Sequence, residues 1–243
     1  MKAMILAAGL GTRLRPLTDD RPKALVEIGG KTLLEITLRR LRKFEIREVI
    51  INVHHFADMI ADYLRRNDNF SMRIEISREE ELLDTGGGLK KAAWFFLEDG
   101  GNDAFLLHNV DVLSTIDFRG MLELHGNHDA LATLAAQQRD TSRYLLFDEN
   151  NQLRGRGTRN SMEQSTPGIQ ALAFCGVHII SPRLLSMMTE QGAFSIVDTY
   201  VRLASQGEKI LAFRADNYYW RDLGKPENLR QAERDIQQRI VEF

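Results

Sequence analysis

The stretch Ala3-Met-Ile-Leu-Ala-Ala-Gly-Leu-Gly-Thr-Arg-Leu-Arg-Pro16 decides how the chain is read. Ala3–Ala8 is a short, continuously apolar run, the pattern of a strand buried on both faces. It breaks at Gly9-Leu-Gly11, and a long loop follows to Pro22 with two glycines, two prolines and three arginines. Glycines let a backbone approach a polyphosphate and turn its N–H groups toward the anion. Arg13 and Lys23 can add charge-assisted bonds, the arginine as a fork and the lysine as a point charge. Leu14 stands where Gly-x-Gly-x-x-Gly needs its third glycine, and no Gly-Lys-Ser/Thr follows. Both facts argue against a dinucleotide-cofactor loop and a Walker loop. Alone, Gly-x-Gly is equally a turn with solvated arginines.

Outward from this loop, Ala24–Ile28 reads as a short strand ended by Gly29-Gly30. Thr32-Leu-Leu-Glu35 is a capping box opening a helix, with Leu34, Leu38, Leu41 and Phe44 at helical spacing. Glu48–Val53 is the next buried strand, Ala57–Arg66 a helix and Met72–Ser77 a strand. A helix after Gly86-Gly-Gly88 runs through Phe96, and the strand Ala104–His108 ends at Asn109-Val-Asp111. This alternation predicts right-handed βαβ units in an α/β fold: a Rossmann-like, mostly parallel mixed sheet flanked by helices.

From about residue 131 the strands shorten: Leu131–Gln137, Tyr144–Asp148 and Gln152–Arg156, with a hairpin turn at Glu149-Asn-Asn151. Arg154 to Gly168 reads as a polar surface loop and Ile169–Ile180 as a strand. Ser195-Ile-Val-Asp198 caps another helix, and Tyr218–Leu223 is a late strand. Pro226 opens a final helix with Leu229, Ala232, Ile236 and Ile240 on one face. The reading is a single domain over 1–243, with a break in character near residue 130 and a small C-terminal lobe.

The 243 residues are 43% hydrophobic and 27% charged, as in an ordinary globular protein. A net charge of -2 gives no basic field for nucleic acid, so none is expected as a partner. Cys175, the only cysteine, lies in the apolar run Ala171–Ile180 and reads as a buried hydrophobe. The N-terminal apolar stretch is too short for a secretory segment, and no run reaches the length of a membrane span. The expectation is a cytoplasmic protein without a membrane partner.

Four unusual segments follow expected strands: Ala8–Lys23, Leu83–Gly88, Asn109–Asp111 and Arg221–Gly224. In open α/β sheets ligands bind beyond the carboxyl ends of strands, so these segments should meet. Asp111 and Asp222 are carboxylates that cost desolvation there unless paired or bound to a cation, and Mg²⁺ suits one or two carboxylates plus phosphates. Taken singly, Asp111 could be a turn cap and Asp222 a partner of Arg221. Asp84-Thr-Gly-Gly-Gly88 offers bare backbone for a flat base or ribose, or is a flexible helix cap. Of His54-His55, one is expected to line the nucleotide pocket and one to be structural, since adjacent strand residues point oppositely. Trp94 and Trp220 read as core or pocket wall.

Ala7-Ala-Gly-Leu-Gly-Thr-Arg-Leu-Arg-Pro-Leu-Thr18, with Pro22-Lys-Ala-Leu25, resembles the signature of the sugar-1-phosphate nucleotidylyltransferases. The similarity continues at Asn109–Asp111 and Trp220–Gly224. The resemblance implies a nucleotide-binding half over about 1–130 and a sugar-binding and C-terminal half over about 131–243. It implies that Ala8, Gly9, Gly11 and Thr12 cradle an NTP, and that Arg13 neutralises leaving pyrophosphate. Lys23 would bridge the α-phosphate and the attacking sugar phosphate, and Asp111 and Asp222 would hold Mg²⁺. Asn52, Thr85, Gly86 and Gly87 would flank the base; from their position alone, Asn109, Thr166, Gly176 and Asp198 are expected to touch the sugar.

The Thr-Gly-Gly-Gly form looks most like the short N-acetylmuramate-1-phosphate uridylyltransferases, with UTP as substrate. Mannose- and heptose-1-phosphate guanylyltransferases, with GTP, share much of the pattern. The expected state is a monomer or homodimer. Two departures stand out. Val110 replaces the glycine of Asn-Gly-Asp in many relatives. The second phosphate-binding lysine of larger relatives has no counterpart, with Arg154, Arg156 or Arg159 as substitutes. A nucleotide-sugar-binding regulatory subunit and a dinucleotide-dependent oxidoreductase are the competing classes.

Overall fold

The computed structural model describes residues 1–158 and 167–242. In chain order it contains β1 (Ala3–Leu6), the hairpin β2 (Glu27–Ile28) and β3 (Lys31–Thr32), α1 (Leu33–Lys43) and β4 (Glu48–Val53). Then come α2 (Ala57–Arg66), β5 (Arg73–Arg78), α3 (Asp84–Lys91), α4 (Ala93–Leu97), β6 (Phe105–Asn109) and β7 (Val112–Ser114). After α5 (Phe118–Asn127) follow β8 (Ala132–Gln137), β9 (Tyr144–Phe147), β10 (Leu153–Gly157) and β11 (Gln170–Ile180). The chain ends with α6 (Arg183–Ser186), α7 (Ile196–Ser205), β12 (Ile210–Arg214), β13 (Trp220–Asp222) and α8 (Pro226–Gln237).

The parallel strands β5, β4, β1 and β6 form the N-terminal part of one mixed sheet, as the alternating sequence pattern demands. β11 then runs antiparallel to β6, and β8 antiparallel to β11, with β12 parallel beyond β8. The strands after residue 131 thus extend the same sheet, except β13, which pairs with β7 in a separate ribbon. Successive side chains of β1 feed opposite faces. Ala3 and Ile5 pack with Leu34, Leu38, Ile60 and Phe118, whereas Met4 packs with Leu89, Phe95, Tyr200 and Leu203. The sheet is therefore sandwiched between α1, α2 and α5 on one face and α3, α4 and α7 on the other. A third cluster joins Leu14, Val26, Ile28 and Leu33 to Leu223, Leu229 and Ala232, so α8 clamps the Gly-rich loop to the body.

Thr32 Oγ1 accepts from Glu35 N at 3.0 Å, as a capping residue should. The Glu35 carboxylate turns instead to Arg39 Nε (2.7 Å) and Tyr63 Oη (2.9 Å), so the capping box is half made. Ala24–Ile28 is not one strand. Lys23–Leu25 is a 3₁₀ turn, and only Glu27–Ile28 pairs, with Lys31–Thr32. The final helix stops at Gln237 and leaves Ile240 59% exposed, off the expected apolar face. Arg154 and Arg156 lie on β10, as the strand reading of Gln152–Arg156 has it, so the polar loop does not begin at Arg154. Cys175 is fully buried, and burial pushes its thiol up to about 12. Among the described residues no helix is long and apolar enough to cross a membrane.

Candidate active site

The parallel register aligns Leu6 with Asn52 on one side and Asn109 on the other, so three strands end side by side. A cleft of about 450 Å³ opens there, lined by Ala8, Gly9, Lys23, Asn52, Thr85, Asn109 and Asp111 among others. Its floor is a buried polar network. Asn52 Oδ1 accepts from Ala7 N at 2.8 Å, and Asn52 Nδ2 donates to Glu79 Oε1 at 2.7 Å. Glu79 Oε2 accepts from Leu83 N at 3.0 Å, joining the start of the Gly-rich loop to the start of α3.

The loop itself turns at Gly11, whose φ of 67° suits glycine, and Thr18 Oγ1 donates to the Gly11 carbonyl at 2.9 Å. The 3₁₀ turn Thr12–Leu14 follows, pinned by fully buried Leu14, so Arg13 is thrown outward. Arg13 returns over the far end of the chain. A Cβ on Gly224 would fall 2.6 Å from Arg13 Nη2, 2.7 Å from Asp222 Oδ1 and 3.1 Å from Lys23 Nζ. Lys23 Nζ is in turn paired with Asp111 Oδ2. The backbone locks this meeting: β13 pairs with β7, and Leu223 N donates to the Asp111 carbonyl at 2.8 Å. Four ionic groups, two of each sign, thus converge around a glycine that leaves them room. Asp222 is not paired with Arg221, which bonds Asp235 at 2.9 Å. Among the described residues no group of three or more metal-ligating side chains occurs; the oxygen donors here are Asp111 and Asp222.

Other expectations fare differently. Gly86, Gly87 and Gly88 lie inside α3, and their bare faces are filled by protein. A Cβ would meet the Phe194 ring at 2.3 Å, the Gly192 carbonyl at 2.4 Å, and Asn52 and Glu79 at 2.7 Å, respectively. The Gly86 amide also donates to the Phe194 carbonyl at 2.9 Å. The triglycine therefore lets α3 approach the segment before α7, and what it presents to the cleft is Asp84 and Thr85. Neither His54 nor His55 lines the cleft: His54 Nδ1 bonds the Glu79 carbonyl at 2.9 Å, and His55 stacks on Phe56 in the open. Trp94 is half exposed rather than core. Val110 takes no positive φ, and its side chain is buried in the core beside Val112 and Ala7.

On the C-terminal side, Gly176 (φ 71°) brings β11 against Asn109, a Cβ there falling 2.7 Å from Asn109 Nδ2. Asp198 pairs with Arg156 outside the cleft lining, and Arg154 Nε bonds Asp148 at 2.8 Å. Thr166 and Arg159 lie outside the described residues. Sequence reasoning missed Glu79, which sits in a charge run, Arg78-Glu-Glu-Glu81, that reads as a solvated face; it is 5% exposed.

A Gly-rich loop, a pair of cations and two facing carboxylates meet at the carboxyl edge of a parallel sheet, the arrangement of a nucleotide-handling transferase. The chain belongs to the nucleotidyl transferase family, whose model matches residues 2–239. It is 34% identical over 243 residues to the N-acetylmuramate alpha-1-phosphate uridylyltransferase of Caulobacter vibrioides, covering 95% of each chain. It is 27% identical to the probable mannose-1-phosphate guanylyltransferase 1 of Oryza sativa subsp. japonica, of which it spans 62%. In fold it matches a putative glucose-1-phosphate thymidylyltransferase from Bacillus anthracis, with a TM-score of 0.81 at 19% identity. That match covers 100% of this chain and 97% of the other.

Proposed function

We propose that this enzyme transfers the uridylyl group of UTP to N-acetylmuramate 1-phosphate and releases pyrophosphate. The carrying observation is the convergence of Arg13, Lys23, Asp111 and Asp222 around Gly224. The choice of base and sugar follows the Caulobacter vibrioides relative. Residues 1–130 would handle the nucleotide and residues 131–243 the sugar, in one domain. Ala8, Gly9, Gly11 and Thr12 present main chain to the triphosphate, and Asn52 and Thr85 bound the base end of the cleft. Gly86 and Gly87 act from behind, by letting α3 sit close. Asn109 and Gly176 form the sugar side, while Asp198, paired with Arg156 outside the cleft, is not assigned to it.

A phosphate oxygen of the sugar 1-phosphate attacks the α-phosphorus in line. The bond from that phosphorus to the bridging oxygen of the β-phosphate breaks, and pyrophosphate leaves. No protein nucleophile is required, so catalysis is positioning plus charge neutralisation. Lys23 releases Asp111 and turns to the α-phosphate and the incoming phosphate. Arg13 neutralises the pyrophosphate. The oxygen pair Asp111 and Asp222 suits a hard cation that takes its remaining ligands from phosphates. These two would hold Mg²⁺, which when bound supplies positive charge against the phosphates.

The test is pyrophosphate release in Mg²⁺ across UTP, GTP, CTP and dTTP, each with N-acetylmuramate, mannose, heptose and glucose 1-phosphates. UTP with N-acetylmuramate 1-phosphate is the expected pair. GTP with mannose 1-phosphate would instead favour the guanylyl reading that the Oryza relative suggests. No release from any pair would overturn the proposal.

A further inference from the structure

Arg139 lies two residues beyond the carboxyl end of β8. β8 runs antiparallel to β11 and β11 antiparallel to β6, so β8 and β6 end on the same edge of the sheet. Its guanidinium sits over the Trp220 ring, with the central carbon 3.7 Å from the ring centroid. Trp220 is held in turn by its indole N–H, which donates to the Cys175 carbonyl at 2.8 Å, next to Gly176. One fork nitrogen, Nη2, donates to the Phe174 carbonyl at 2.8 Å. The Nε is buried without a hydrogen-bond partner, and no carboxylate among the described residues lies within ion-pair distance. Burial pulls the guanidinium below its ordinary pKa, with Cys175 and Asp222 only partly offsetting it.

A half-buried cation, pre-oriented by an aromatic face and without a carboxylate partner among the described residues, carries a desolvation cost that an anion would relieve. Position says which anion. Trp220 and Asp222 are i and i+2 on β13 and share a face, so the guanidinium over Trp220 lies on the side of Asp222, whose charge acts on it; Asp222 in turn meets Arg13 and Lys23 around Gly224. Arg154 and Arg156 are engaged by Asp148 and Asp198. We propose that Arg139 binds the phosphate of the incoming sugar 1-phosphate, the acceptor side of the transfer. This rests on the reading that the protein takes a sugar 1-phosphate.

The experiment is direct titration by calorimetry of wild type, R139Q and R139K. The ligands are UTP, N-acetylmuramate 1-phosphate, N-acetylglucosamine 1-phosphate and α-D-mannose 1-phosphate. Losing a charge-assisted pair should weaken sugar-phosphate binding about tenfold or more in R139Q, with UTP binding within about twofold and a smaller loss in R139K. Equal weakening of UTP and sugar phosphate, or of neither, overturns the assignment. So does a loss confined to N-acetylmuramate 1-phosphate, which would place Arg139 at its lactyl carboxylate. A second readout needs no change at Arg139. In W94F, Trp220 is the sole tryptophan, and sugar-phosphate titration should change its fluorescence; binding without a change overturns the proposal. If mannose 1-phosphate binds and N-acetylmuramate 1-phosphate does not, the substrate reading fails while Arg139 is judged on mannose 1-phosphate. If no sugar 1-phosphate binds, both fail.

Discussion

Replacing Asn52 by alanine cuts the polar network under the cleft at its centre. Asn52 is 2% exposed and Glu79 5%, so water has little access to what is left behind. The Nδ2 bond to Glu79 Oε1 is a bond to a charged acceptor, contributing about 1.5–3 kcal/mol. The Ala7 amide loses its side-chain acceptor, and an orphaned buried N–H costs about 1–3 kcal/mol. Together the loss is about 2.5–6 kcal/mol, a large share of the roughly 5–15 kcal/mol that holds a domain folded. At about 2–4 °C per kcal/mol, a chain of this size should then melt roughly 5–24 °C lower. Urea titration followed by circular dichroism reads the difference directly. The nucleotide site should suffer in proportion, because Ala7 opens the Gly-rich loop. A shift worth less than about 1 kcal/mol would refute the reasoning: the loop would then be fixed by something other than this network.

Gly86→Ala should destabilise by about 1–3 kcal/mol through overpacking on Phe194, and the Phe194→Ala background should absorb much of that cost in a double-mutant cycle. Asp111→Asn and Asp222→Asn should each lower turnover by about a hundredfold or more with melting nearly unchanged; near-normal turnover in either would remove that carboxylate from the reacting centre. Burial pulls His108 and His178 down to about 3 and His125 down to about 4. The unfolded chain therefore binds more protons below about pH 6.5, and stability should fall as pH drops from there toward 3. His178→Gln should flatten that slope in a pH series of urea midpoints, and an unchanged slope would mean His178 does not drive it.

Much of the fold was legible because its local signals agree. In α1, Thr32 caps and Leu34, Leu38 and Leu41 repeat with the helix, and all three are fully buried. β4 and α2 match their expected spans to the residue. Ala24–Ile28 misled because Ala24, Val26 and Ile28 alternate inward as in a strand, yet most of the segment has no sheet partner. The triglycine read as bare backbone or a flexible cap ahead of the helix because glycine disfavours helix; tertiary packing overrides that preference at the three places where a Cβ would collide. In the site, the Gly-rich loop, Lys23, Asp111 and Asp222 were visible as residue types at strand ends. Arg139 was not, since its orientation depends on Trp220, which is 81 positions away in sequence. The same holds for Glu79, whose burial no local pattern announces.

The contact between α3 and the segment before α7 is reciprocal. Gly86 N donates to the Phe194 carbonyl, Phe194 N to the Leu83 carbonyl at 3.1 Å, and Ile196 N to Thr85 Oγ1 at 3.0 Å. A residue altered on one side would displace its partner on the other, and Thr85 and Ala193 line the same cleft. Single changes in either segment would thus show strong epistasis with the other. A laboratory evolution scheme for new nucleotide sugars should diversify residues 82–88 and 192–196 together, because neither segment can drift alone.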